Sequence, residues 1–216
     1  MRYWLSLLIV VASTGTAHAE MYVAGEAGEA VRSTLSHVEY SMNNQNWTKT
    51  AFSQNTSAMY GGKVGYYFDR HPWLGVETEV YRYTPNFPSQ VATNASGSVM
   101  ISAVDHSIIT WSPVTVLVRI PSGTFPLPLE PYAGVGLGVF FSSVSTSSFS
   151  SSSTDVGFTS QVGLRYRITP NWAAFGEWKY NTAHLTHQNL LGSGVNVDGT
   201  YSAHLFSFGV GYHFTL

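Results

Sequence analysis

The chain has 216 residues, with 10 Lys and Arg against 12 Asp and Glu, a formal net charge of −2 and no cysteine. Only 10% of residues are charged and 14% are aromatic, where a soluble domain carries roughly 25% charged residues. These values exclude a disordered tail, a basic nucleic-acid binder, a disulfide scaffold and any cysteine-ligated metal centre.

In chain order, Met1 and Arg2 give a positive start and residues 4–12 (WLSLLIVVA) an apolar run. Ala17-His18-Ala19 then follows as a small-x-small site. Together they read as a secretory signal peptide over 1–19, cut before Glu20, since the run is too short to span a bilayer as a helix. The remainder, 20–216, is expected to form one domain. No later stretch approaches the 18 consecutive apolar residues of a membrane helix, yet the chain is charge-poor. Strands that bury every second residue in lipid reconcile the two facts.

Eight segments carry that period. They are 21–32, 59–69, 73–84, 107–120, 130–141, 161–168, 172–180 and 206–214. The last is the cleanest: Phe206, Phe208, Val210, Tyr212 and Phe214 share one face, opposite Ser207, Gly209, Gly211 and His213. Between 161 and 168, Val162, Leu164, Tyr166 and Ile168 alternate with Gln161, Gly163, Arg165 and Arg167. Alternation of this length predicts half-buried strands rather than helices. Pro113 interrupts the fourth segment, because proline cannot donate to a ladder. Glu29 and Arg82 fall on the lipid parity, which predicts positions near a rim.

The joins at 70–72 and 169–171 are tight and that at 121–129 is Pro-rich, whereas 33–58, 85–106, 142–155 and 184–203 are long and polar. Short turns at one end and long loops at the other predict an all-β, eight-stranded antiparallel up-and-down transmembrane barrel, with both ends of the mature chain on the short-turn side. The serine tract 142–153 is expected to be an outer loop.

EPYAGVGLGVFF (130–141), GLRYRITPNWAAFGEWKYN (163–181) and FSFGVGYHF (206–214), in this order, resemble the small OmpA/OmpX-type outer-membrane β-barrel domains. The resemblance covers the whole mature chain. It implies insertion by the barrel assembly machinery through a C-terminal signal formed by Phe206, Phe208, Val210, Tyr212 and Phe214. It also implies contact with outer-membrane lipid and lipopolysaccharide, in a Gram-negative envelope. The pattern departs from the family in two ways: no peptidoglycan-binding part follows the barrel, and Thr215-Leu216 follow the terminal aromatic.

The inward parity collects Glu26, Glu77, Glu79, Glu130 and Glu177 with Lys63, Arg119, Arg165, Arg167 and Lys179. Five acids meet five bases, and a charge on the lipid face costs about 2–4 kcal/mol at mid-bilayer, so an ion-pair network inside the barrel is expected. Inward Gly134, Gly136, Gly138, Gly209 and Gly211 are expected to make room for these long side chains. Eight strands enclose a space that side chains can fill, so the lumen reads as a polar core, with a gated path for ions or small solutes as the alternative.

Aromatics are expected in two girdles. Tyr66, Phe68, Trp73, Tyr166, Trp172, Tyr212 and Phe214 lie toward the short turns, and Tyr83, Trp111, Phe141, Trp178 and Tyr180 toward the long loops. A soluble lipocalin-like barrel would instead aim its aromatics inward. Outer-membrane lipid A deacylases pair His-x-Ser on one strand, and none of the eight histidines has Ser two positions later. His37, His106, His184, His187 and His204 read as solvated loop residues, with a zinc site as the alternative. No catalytic, cofactor or metal motif emerges. Specificity is expected in the loops, where 33–58 exposes Trp47 and Phe52, in a surface-interaction, adhesion or envelope-integrity role without nucleic acid.

Overall fold

A computed structural model describes residues 19–42, 45–94, 97–101, 103–124, 126–145, 150–187 and 196–215. The signal segment, apart from Ala19, lies outside the described residues.

Eleven strands form one antiparallel sheet: β1 (Glu20–Met42), β2 (Gln45–Ser53), β3 (Ser57–Phe68), β4 (His71–Tyr83), β5 (Gln90–Asn94), β6 (Gly97–Ile101), β7 (Asp105–Arg119), β8 (Leu129–Ser145), β9 (Ser150–Arg167), β10 (Trp172–His187) and β11 (Asn196–Thr215). Eight of them run in the order β11-β10-β9-β8-β7-β4-β3-β1, and pairing of β11 with β1 closes the ring. The seam runs from Glu20 opposite Thr215 to Ser41 opposite Asn196. The eight-stranded barrel is therefore closed, with no edge in the part that faces lipid.

The outward row is apolar: Val135, Leu137, Val156, Phe158, Val162, Phe206 and Phe208 are all exposed, Phe208 at 73%. In a water-soluble protein such a surface would be anomalous, whereas hydrocarbon is its natural solvent.

Several strands overrun the barrel. β1 has 23 residues and β11 has 20, against the 9–11 that cross a bilayer. β3 covers the lower half of β1 and β2 the upper half, so these two form one descending wall interrupted at 54–56. The segments expected as loops are therefore largely strand. The described parts of the serine tract are paired strand, with Ser142 opposite Ser153 and Ser145 opposite Ser150. Residues 90–101 hold the β5–β6 hairpin. In these upper halves polar residues such as Ser33 and Ser142 take buried inward positions, so hydrophobic alternation weakens while backbone pairing continues.

Pro113 sits in a bulge of β7, between the pairings of Trp111 and Val114 with β8. At the short-turn end, Gly123 takes a positive φ of 94°, a conformation that favours glycine.

Candidate functional site: the filled lumen

The barrel interior holds three stacked layers, from the short turns upward. In the first, Glu130 accepts from Arg167 Nε at 2.9 Å and pairs with Arg165 at 3.3 Å and Arg119 at 3.4 Å. Glu20, the first residue of β1, pairs with Arg119 at 2.7 Å and also with Arg167 and His213. Arg119 lies 3.6 Å from the Tyr67 ring centre, and Arg165 lies 4.7 Å and 5.0 Å from those of Tyr22 and Tyr132. Arg119 also donates from Nε to the carbonyl of Pro72 at 2.8 Å. Guanidinium groups suit this role, since they stack on rings while their edges bond carboxylates.

The second layer is built on two lysines. Lys179 Nζ pairs with Glu26 at 2.6 Å, with Glu79, and with Glu177 at 3.3 Å. Lys63 pairs with Glu177 and stands 3.7 Å from Glu77. Neutral donors complete the carboxylates: Tyr22 and Gln161 to Glu77, Tyr132 to Glu177, and Ser207 to Glu26. A charge in a low-dielectric interior persists when it is both paired and hydrogen-bonded.

The third layer is apolar and aromatic. Met59, Tyr81, Tyr83, Ile108, Phe140, Leu185, Tyr201 and Leu205 pack in one buried cluster. Its phenols are satisfied internally, Tyr83 with Tyr201 at 2.6 Å and Tyr81 to Asn181 at 2.9 Å. Above it, His106 is 2% exposed, lies 2.7 Å from both Ser142 and Gln54, and stacks against Phe87.

This closed barrel, with an apolar outer wall and a charged interior, matches a known family over nearly its whole length. The model of the outer membrane protein beta-barrel domain matches residues 5–214. The chain belongs to that family. Among solved structures it is similar to Neisserial surface protein A, at 19% identity, 90% of this chain and 97% of the other, TM-score 0.54. It is also similar to OprG from Pseudomonas aeruginosa, at 14% identity, 93% and 98% coverage, TM-score 0.60. At such identities the likeness concerns the fold. Among curated proteins there is no significant match.

Within this outer-membrane barrel Glu26, Lys63, Glu77, Glu79, Arg119, Glu130, Arg165, Arg167, Glu177 and Lys179 lie in the two charged layers of the interior. The structure adds a sixth acid, Glu20, which the sequence reading assigned only to the cleavage site. The lead was its parity, since Glu20 lies on the face of Glu26, at the very start of the period.

Other expectations are corrected. The atoms nearest the inward glycines belong to rings, to Thr115, Leu117, Thr159 and Ala24, and to backbone rather than to Arg and Glu chains: a Cβ on Gly209 would lie 2.3 Å from the Phe175 ring. Tyr83 belongs to no girdle; it shares the parity of Glu77 and Glu79 and is 1% exposed. His106 is buried on β7 rather than solvated. His204 packs between Trp178 and Tyr180 on the outer wall, with ring centres 5.7 Å and 5.0 Å away. Glu29 and Arg82 are exposed on the outer wall, and Arg82 donates to Ser107 at 3.2 Å. Phe206, Phe208, Val210 and Phe214 face outward. The side chains of His37, Trp47, Phe52 and His187 lie outside the described residues.

Proposed function

We propose that this protein is a non-enzymatic surface protein of the Gram-negative outer membrane, which acts through the sheet that β1, β2, β10 and β11 raise above the bilayer. The observation that carries this reading is the contrast between the two ends of those strands. Below, their inward side chains fill the lumen with ion pairs and stacked rings. Above, the same strands continue well past the 9–11 residues that a bilayer needs. Eight-stranded barrels have little interior to spare once side chains occupy it, so the lumen is a structural plug and the projecting wall presents the contact surface.

On this reading the chain is exported by the 1–19 segment, cleaved between Ala19 and Glu20, and inserted with Phe206–Phe214 as the assembly signal. Lipopolysaccharide surrounds its outer wall. The experiment has two arms. In planar bilayers the purified protein gives no steady single-channel openings. On cells, replacing 36–52 by a short turn abolishes attachment to host-cell surfaces while leaving a heat-modifiable barrel. Steady openings would make it a narrow channel for ions or small solutes instead, and attachment unaffected by the replacement would remove the projecting wall from the function.

A further inference from the structure

The buried charges do not cancel. Among the described residues the second layer sets four carboxylates, Glu26, Glu77, Glu79 and Glu177, against two ammonium groups, Lys63 and Lys179. The first layer leans the other way, with Arg119, Arg165 and Arg167 against Glu20 and Glu130. The whole described interior thus has six acids and five bases. His213 does not supply the missing charge where it is needed, because it lies in the layer where cations already outnumber acids. An uncompensated carboxylate in a low-dielectric interior is strongly disfavoured, and taking up a proton is the usual escape.

The donor sets indicate which carboxylate takes it. Glu77 receives Tyr22, Gln161 and Lys63; Glu177 receives Tyr132 and both lysines. Glu26 receives Ser207 at 2.8 Å and Lys179 at 2.6 Å. Among the described residues Glu79 receives Lys179, a donor it shares with two other acids. Oxygens of Glu26, Glu79 and Glu177 all lie within 4.8 Å of one another, with Lys179 as the ammonium group that all three share. Carboxylates crowded this closely repel one another while both are ionised, and a proton on one of them turns that repulsion into a hydrogen bond.

We propose that Glu79 is a proton-binding site of the barrel core: its carboxyl is neutral at neutral pH and donates to the Glu26 carboxylate. The charged and titratable groups around it are Glu26 on β1, Lys63 on β3, Glu77 and Tyr81 on β4, and Glu177 and Lys179 on β10. The sides from β7, β9 and β11 present Ser112, Gln161 and Ser207, which are neutral. Tyr132 of β8 is committed to Glu177. This inference concerns the core alone and stands whether or not the protein is an adhesin.

Infrared spectroscopy of the protein folded in lipid bilayers tests it, because the carbonyl stretch of a protonated carboxylic acid stands apart from ionised carboxylate bands and shifts in heavy water. The wild type shows that band at neutral pH and Glu79→Gln loses it. Glu79→Gln, isosteric with the neutral acid, keeps the wild-type urea midpoint, whereas Glu177→Gln lowers it. A wild type without the band overturns the proposal, as does a band that survives Glu79→Gln. A Glu79→Gln midpoint as low as that of Glu177→Gln overturns it too. A missing band together with a midpoint that rises with sodium concentration would assign the missing charge to a bound cation instead.

Discussion

The hydroxyl of Thr78, on the lipid-facing side of β4, donates a 3.1 Å hydrogen bond to the carbonyl oxygen of Ser112 on β7. The bond lies at the bulge that Pro113 creates, where the β4–β7 register shifts between Glu77 and Glu79. The Trp111 indole N–H donates back to the same hydroxyl at 3.3 Å. One side chain thus serves both an acceptor and a donor in the part of the wall where no water is available to do so.

Thr78→Val keeps the shape and removes both bonds. It is expected to destabilise the barrel by about 1–3 kcal/mol, the cost of leaving a buried polar group unpaired, while Thr78→Ser keeps most of the stability. Urea unfolding in lipid vesicles checks both. Equal midpoints for valine and serine would remove this bond from the account of the bulge.

Lys179 is the hub of the second layer, paired with Glu26, Glu79 and Glu177. Lys179→Met preserves the bulk but strands those acids, and breaking a buried pair from one side costs about 3–5 kcal/mol. The same unfolding measurement is expected to show a loss of that order. Adding Glu177→Gln to Lys179→Met should restore part of it, because the two side chains then fail together.

Gly209, opposite Glu26 at the β1–β11 seam, and Gly25, opposite Val210, differ in what surrounds them. A Cβ on Gly209 would meet the Phe175 ring at 2.3 Å and the Gly25 carbonyl oxygen at 2.4 Å, whereas a Cβ on Gly25 meets nothing within 4 Å. Gly209→Ala is therefore expected to cost about 1–3 kcal/mol through overpacking and to reduce the heat-modifiable fraction on unboiled gels. Gly25→Ala should fold like the wild type.

Tyr201→Phe leaves the Tyr83 hydroxyl without its 2.6 Å partner in the aromatic layer. The expected loss is about 1 kcal/mol, with closure of the barrel retained. A steady conductance appearing in this variant alone would show that the aromatic layer seals the lumen.

The membrane strands were legible because the two sides of the wall meet different solvents. Phe206, Phe208 and Val210 alternate with Ser207, Gly209 and Gly211 for that reason, and the ten inward charges fall on one parity. The upper halves of β1, β8, β9 and β11 were not legible as strand. There Ser142 and Ser143 pair with Ser153 and Ser152, and serine stands both at the buried position 142 and at the exposed position 143, so hydropathy carries no period. His106 looked like a loop residue because Ser142 and Gln54, its partners, are 36 and 52 positions away.

By itself, then, the sequence determined the antiparallel barrel and its eight wall segments, because these follow from local alternation and from the cost of a charge in hydrocarbon. Only the closed barrel decided the partners. Which lysine meets which glutamate, that Glu20 joins Arg119 and Arg167, and that the core, among the described residues, holds one acid more than its bases all depend on strand stagger around the ring. That stagger brings together residues more than a hundred positions apart, as with Lys179 and Glu26, and no local pattern records it.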